Sequence, residues 1–121
     1  MDVLIRFGFS IEDIKNMMDT NIYIESISDK NIEEIIKILE KNGCSNKHIK
    51  NIFVCNPFVL NRNYKEINNL IKLLNKLGFT DLYILFDSNP YILNLDDKKL
   101  ESLYNSKKDE FIDYLNKNIV I

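Results

Sequence analysis

The 121-residue chain contains no Ala, Gln or Trp, and only 3 Gly, 2 Pro, 2 Cys and 1 His. Each scarcity excludes something. So few Gly and Pro, set against 45% hydrophobic residues, exclude a disordered or low-complexity tail. All 3 Gly stand at corners between helices, so none is left for a phosphate-cradling loop. One histidine excludes a His-based metal cluster and any triad that needs a second His. Two cysteines, Cys44 and Cys55, are too few to scaffold a secreted mini-protein and read as reduced thiols of an intracellular chain. No apolar run approaches the roughly 18 residues of a membrane span. The start, Met1-Asp2-Val3, has neither a basic leader nor an Arg/Ser-rich amphipathic one, so the protein is expected to be soluble, unprocessed and cytoplasmic. A basic excess is missing too. Sixteen Lys and Arg stand against 18 Asp and Glu, a net charge of -2, so no overall attraction draws the molecule to phosphate.

The chain does have Ile and Asn in plenty, 19 and 17 of them. Their codons are AT-rich, which points to an AT-rich, bacterial genome and says nothing of activity. The length fits one domain with one core. More telling is internal repetition. Gly8-Phe9-Ser10, Gly43-Cys44-Ser45 and Gly78-Phe79-Thr80 recur at a period of 35, and Asn56-Pro57-Phe58-Val59-Leu60-Asn61 returns after 33 residues as Asn89-Pro90-Tyr91-Ile92-Leu93-Asn94. In the first unit the matching segment is Asn21-Ile22-Tyr23-Ile24.

Gly suits the residue just past a helix and Ser or Thr the N-cap of the next, so each tripeptide is a helix-to-helix corner. Phe9 with Ile14, Cys44 with Ile49 and Phe79 with Ile84 have the spacing of a hydrophobic staple. A short helix follows each corner, its apolar face formed by Ile14, Met17 and Met18, then Ile49, Ile52 and Phe53, then Leu82, Leu85 and Phe86. Pro57 and Pro90 end that helix or open a new turn. Ser28, Asn63 and Asp96 then cap a longer helix, whose buried face is Ile32, Ile35, Ile36, Leu39 in one unit and Ile67, Leu70, Ile71, Leu74 in the next. The third long helix starts alike with Leu100, Leu103 and Tyr104 and is expected to break at Asn105-Ser106. Ser106 would cap a closing helix over about 107–117, carrying Phe111, Ile112, Tyr114 and Leu115. The units run over about 4–42, 43–77 and 78–104 of a single domain, 1–121. The fold class is all-α: right-angled helix-turn-helix units stacked side by side, closed by a C-terminal helix.

Phe53-x-x-x-Pro57-x-x-Leu60 and Phe86-x-x-x-Pro90-x-x-Leu93, with the corner Leu77-Gly78-Phe79-Thr80, resemble the repeat of the mTERF family, mitochondrial transcription termination factor-like proteins. The resemblance covers roughly residues 4–104. It implies an all-α superhelix whose concave face carries basic residues for nucleic acid, with no catalytic centre and no cofactor.

Charge is unevenly spread. Residues 1–40 hold four basic and nine acidic residues, 41–80 seven basic and one acidic, and 81–121 five basic and eight acidic. Net charges are thus -5, +6 and -3. In the middle sector Lys65, Lys72 and Lys76 stand opposite the apolar face of the long helix, beside Asn68, Asn69 and Asn75. Lys47 and Lys50 lie on the preceding short helix, and Arg62 follows the Pro57 turn. Lys and Arg neutralise phosphates while Asn offers donors and acceptors to backbone or base edges, so these six residues form a candidate DNA- or RNA-binding stripe with a regulatory role. A plain solvated helix face is the bland alternative. The rival function is a protein-binding adaptor or inhibitor from a small accessory gene, with no nucleic-acid contact, and self-association through the complementary sectors is a third use of the pattern.

Catalysis finds little support. His48 aligns with Asp13 and Tyr83 at exposed positions, Cys44 and Cys55 read as packing residues, and two Cys and one His without close spacing make no zinc site. Asp96-Asp97 is a capping pair and Glu33-Glu34 the polar face of a helix. Tyr64 and Tyr91 are placed to stack on bases or, more simply, between repeats. The expectation is a protein that is not an enzyme, needs no metal or cofactor, and makes no membrane contact.

Overall fold

The computed structural model describes residues 2–107. They form seven α-helices: α1 Asp2–Phe7, α2 Ile11–Thr20, α3 Asp29–Lys41, α4 Asn46–Cys55, α5 Tyr64–Lys76, α6 Leu82–Ser88 and α7 Asp97–Lys107. Short 3-10 turns at Ile24–Ser26, Pro57–Asn61 and Pro90–Asn94 separate each short helix from the long one after it, and there is no strand among the described residues. Both prolines open their turns, where the missing N–H costs no hydrogen bond.

Local chemistry sets the helix ends. The Ser10 hydroxyl accepts from the Asp13 N–H at 3.0 Å, Ser28 from Asn31 at 3.2 Å, the Asn63 side chain from Lys65 at 2.8 Å and Asp96 from Lys99 at 2.7 Å. At α4 the Ser45 hydroxyl accepts from the His48 N–H at 3.2 Å, and His48 Nδ1 accepts from the Ser45 N–H at 3.1 Å, a reciprocal box. Each corner closes with a six-to-one hydrogen bond: Phe9 to Leu4, Cys44 to Leu39 and Phe79 to Leu74. This geometry puts the corner glycine in the left-handed region, as at Gly43 with φ 93°.

Gly43 also receives the next unit, since a Cβ there would meet Tyr83 Cδ1 at 3.2 Å. Gly43→Ala therefore combines backbone strain with a pressed aromatic ring. It is expected to cost about 1–2 kcal/mol, measured as a lower urea midpoint at unchanged slope.

The long helices pack as α1, α3, α5, α7 and the short ones as α2, α4, α6, two layers joined by the 3-10 turns. Equivalent positions stack into columns that form the core: Leu4, Leu39 and Leu74, then Ile32, Ile67 and Leu100, then Ile24, Val59 and Ile92, all buried. α1 thus supplies the last turns of a long helix, in register with α3 and α5.

The third unit departs from expectation at its start. Ile84 is 51% exposed, so the Phe79–Ile84 staple does not form, and the residue preceding α6 is Asp81, with no side-chain cap. The missing two residues fall at this corner and shorten α6 to 7 residues against 10 in α4. Leu82, Leu85 and Phe86 then take the places of Ile49, Ile52 and Phe53, a shift of 33, and Tyr83 answers to Lys50 rather than to His48. The expected break at Asn105-Ser106 is also corrected. α7 runs through it to Lys107, and the Ser106 hydroxyl donates to the Leu103 carbonyl at 3.2 Å instead of capping a new helix. The closing helix expected to follow lies outside the described residues.

A second set of contacts ties the units together through amides. Asn21, Asn56 and Asn89 occupy one position in each unit, all buried. Asn21 Nδ2 donates to the Pro57 carbonyl at 3.1 Å and to Asn61 Oδ1 at 3.0 Å, and Asn56 Nδ2 repeats both bonds one unit later with the Pro90 carbonyl at 3.1 Å and Asn94 Oδ1 at 3.0 Å. Among the described residues no buried side-chain polar atom lacks a partner.

Candidate nucleic-acid interface

The six residues expected to form one basic stripe are divided by the layers. Lys65, Lys72 and Lys76 are exposed on α5, in the long-helix layer, while Lys47 is exposed and Lys50 half-buried on α4, in the short-helix layer. Arg62 has a different task. Its side chain is only 14% exposed, Nη1 donates to the Leu93 and Leu95 carbonyls at 2.7 Å each, and Nη2 lies 3.4 Å from Glu66. In the preceding unit Asn31 Nδ2 holds the equivalent carbonyls, Leu60 at 3.3 Å and Arg62 at 2.7 Å. Mostly buried and bonded through Nη1 to two main-chain acceptors, Arg62 serves the clamp between units and not the exposed stripe.

What the middle unit loses in Arg62 the neighbouring helices replace. With a shift of 35 between the first and second units and 33 between the second and third, Lys30, Lys65 and Lys98 occupy one exposed row across α3, α5 and α7. Arg6, Lys41 and Lys76 form a second exposed row across α1, α3 and α5, and Lys37 with Lys72 a third. Packed helices lie roughly 8–10 Å apart, so each row is a ladder of cations running across the helices and not along one of them. The charge totals by sector hid this, because Glu33, Glu34, Glu40 and Glu101 interleave with the rows where the middle unit has Asn68, Asn69 and Asn75. The repeat period already contained the signal, had it been applied to the solvent face as well as to the core.

The carboxylates engage some of these cations. Arg6 lies 3.6 Å from Glu33, and Lys37 lies 3.8 Å from Glu34, both pairs well exposed and worth little in water. Lys65 Nζ stands 6.0 Å from the centre of the Tyr64 ring, which is itself partly buried against the core. The Tyr91 hydroxyl donates to the Cys55 carbonyl at 3.1 Å, so this ring bridges units. Burial pushes the Cys44 thiol up to about 11, with the Asp87 charge adding to the effect, which keeps it a protonated packing group. No group of three or more His, Cys, Asp or Glu able to hold a metal occurs among the described residues, and none of their helices is long and apolar enough to cross a membrane.

The described residues thus form a stack of short helix, 3-10 turn and long helix, with rows of cations across the long helices. The family model that matches it is that of mTERF, over residues 1–109 of the 121. The chain belongs to the mTERF family. Neither a curated protein nor a solved structure matches it. mTERF-family proteins are in general non-enzymatic, nucleic-acid-binding helical-repeat proteins.

Proposed function

We propose that this mTERF-family chain is a non-enzymatic, regulatory nucleic-acid-binding protein that holds DNA or RNA on its long-helix face. Lys65, Lys72 and Lys76 form the centre of the contact. The observation that carries this reading is the alignment of Lys30, Lys65 and Lys98, and of Arg6, Lys41 and Lys76, in rows across successive helices. A polyanion lying across the stack meets one cation per helix, whereas the interleaved carboxylates limit affinity. Binding is therefore weak and strongly salt-dependent, in the range of about 10⁻⁴ to 10⁻⁶ M.

The test is a salt titration of binding to duplex and single-stranded DNA and RNA, for the wild type and for Lys65→Glu/Lys72→Glu. Loss of two phosphate contacts should lower the slope of log K against log salt by about 1.8 for duplex and about 1.4 for single strands. Absence of binding at low salt, or an unchanged slope in the variant, overturns the proposal. The rival, a protein adaptor, draws on the other layer, where Tyr23, Val54 and Phe58 are exposed near the turns. A stoichiometric protein that co-purifies and is released by Phe58→Asp would favour it.

A further inference from the structure

Each later short helix has a flank that faces the unit before it. On α4 this flank carries Lys50, Phe53 and, at the start of the following turn, Pro57, and the first unit meets all three. Lys50 Nζ lies 3.0 Å from the place a Cβ on Gly8 would take, the Phe53 ring stacks on Phe9 at 5.8 Å, and the Pro57 carbonyl accepts from Asn21 at 3.1 Å. In the third unit Tyr83, Phe86 and Pro90 hold the same positions, with Tyr83 against Gly43 and the Pro90 carbonyl bonded to Asn56. In the first unit the positions fall to Lys15, Met18 and Ile22, and among the described residues no unit covers them.

This uncovered flank of α2 is apolar at both ends. Ile11, the first residue of the helix, is 84% exposed and Ile22 is 76% exposed, while Met18 is half-buried where Phe53 and Phe86 are fully buried. Ile11, Lys15 and Met18 follow the i, i+4, i+7 spacing of one helix face, and Ile22 continues the line just past the helix end. Between the apolar ends stand two opposite charges, Lys15 and Asp19. Both are exposed, and neither makes an ion pair among the described residues. Turned end for end, the order Ile, Lys, Asp, Ile complements itself: apolar meets apolar, and each charge meets its opposite.

We propose that this flank is the contact of a two-fold symmetric dimer, in which α2 packs antiparallel on α2 of a second copy. With the axis level with Asn16 and Met17, Ile11 meets Ile22 of the partner subunit. The stem of Lys15 lies over the partner's Met18, and its ammonium group reaches the partner's Asp19. Symmetry makes each pair twice, and the contact closes at two copies. A head-to-tail contact would instead set the sector of net charge -5 against that of -3, at a far edge where Phe79 and Asn89 already have partners. Helices of 10 residues are about 15 Å long, so the interface falls at or below the small end of specific contacts, about 1,200 Å² in total. The dimer is therefore weak and reversible, with Kd about 10⁻⁵ to 10⁻⁴ M.

Sedimentation equilibrium of the full chain, from about 10 µM to about 1 mM, tests the contact. Wild type should follow a monomer–dimer equilibrium. Lys15→Asp sets carboxylate against carboxylate at both pairs, and Asp19→Lys sets ammonium against ammonium. Each should weaken the dimer at least about tenfold, with the fold intact by circular dichroism. Mixed one to one, these two variants should regain the wild-type affinity as a heterodimer, because each then supplies the charge that the other lacks. Ile11→Asn, which installs the residue type of Asn46 at the equivalent place in α4, should also weaken the dimer at least about tenfold. Lys65→Glu/Lys72→Glu should dimerise like the wild type, which keeps this result separate from nucleic-acid binding. A wild type that stays monomeric at about 1 mM, charge variants that dimerise as tightly as it does, a mixture that gains nothing over its components, or growth beyond two copies overturns the proposal. Loss of the dimer in Lys65→Glu/Lys72→Glu also overturns it, since the contact would then lie on the long-helix face.

Discussion

Phe53→Ala is expected to lower the stability of the fold by about 3–5 kcal/mol, the range for removing a fully buried aromatic ring. Phe53 has no exposed surface. Its ring stacks on that of Phe9, with centroids 5.8 Å apart and planes within 6°, and Phe9 in turn lies 5.8 Å from Phe7. One side chain of the second unit thus fills the corner of the first. Truncation leaves a cavity between two rigid helix ends that cannot close without moving α4 off α2, so the larger part of the range applies. For a domain of this size the loss lowers Tm by roughly 12–20 °C. The comparison is Ile84→Ala, on an exposed side chain, which should cost less than about 1 kcal/mol. Equal losses in thermal or urea denaturation would show that Phe53 is not at the centre of the core.

Asn56→Leu is expected to cost about 3 kcal/mol although it adds apolar volume at a buried position. The substitution removes the donor that serves the Pro90 carbonyl and Asn94 Oδ1, and the acceptor that Asn94 Nδ2 reaches at 3.0 Å. Buried polar groups left unmatched cost about 1–3 kcal/mol each, partly offset where water reaches Asn94. The effect has a signature that a packing defect lacks. The lost bonds join the second unit to the third, so unfolding should lose cooperativity, with a lower urea slope as well as a lower midpoint. Hydrogen exchange should quicken in α6 before α4. Asn56→Leu with unchanged midpoint and slope would show that the amide bonds contribute nothing to the coupling of units.

Much of this architecture is legible in the chain. The apolar columns follow from period and helical spacing alone, because burial demands one residue class and tolerates few others. Pro57 and Pro90 announce their turns for steric reasons that need no context. The amide clamp was not legible in the same way. Asn21, Asn56 and Asn89 sit among 17 Asn in an Asn-rich chain, and nothing in a single sequence distinguishes an amide that faces the next unit from one that faces water. Arg62 failed as a site residue for a related reason. A long side chain reaches wherever unfilled carbonyls lie, and those belong to Leu93 and Leu95, over thirty positions away. The third corner misled because a tripeptide match at Gly78-Phe79-Thr80 masks a deletion just after it, which the buried positions of α6 reveal only once Ile84 is seen in solvent.

The two bonds that Asn21 and Asn56 each make to the next unit have a consequence for how such an array can change over time. One bond is to a main-chain carbonyl and the other to an Asn of the same turn motif, so these bonds themselves need no other side chain at the joint. A unit carrying that motif brings both bonds with it when it is duplicated or exchanged, while contacts such as Phe9 on Phe53 have still to be matched, and the outer surface is free to drift in charge. A molecule whose seams share one hydrogen-bonded pattern and whose faces do not can acquire new ligands unit by unit, keeping one framework throughout.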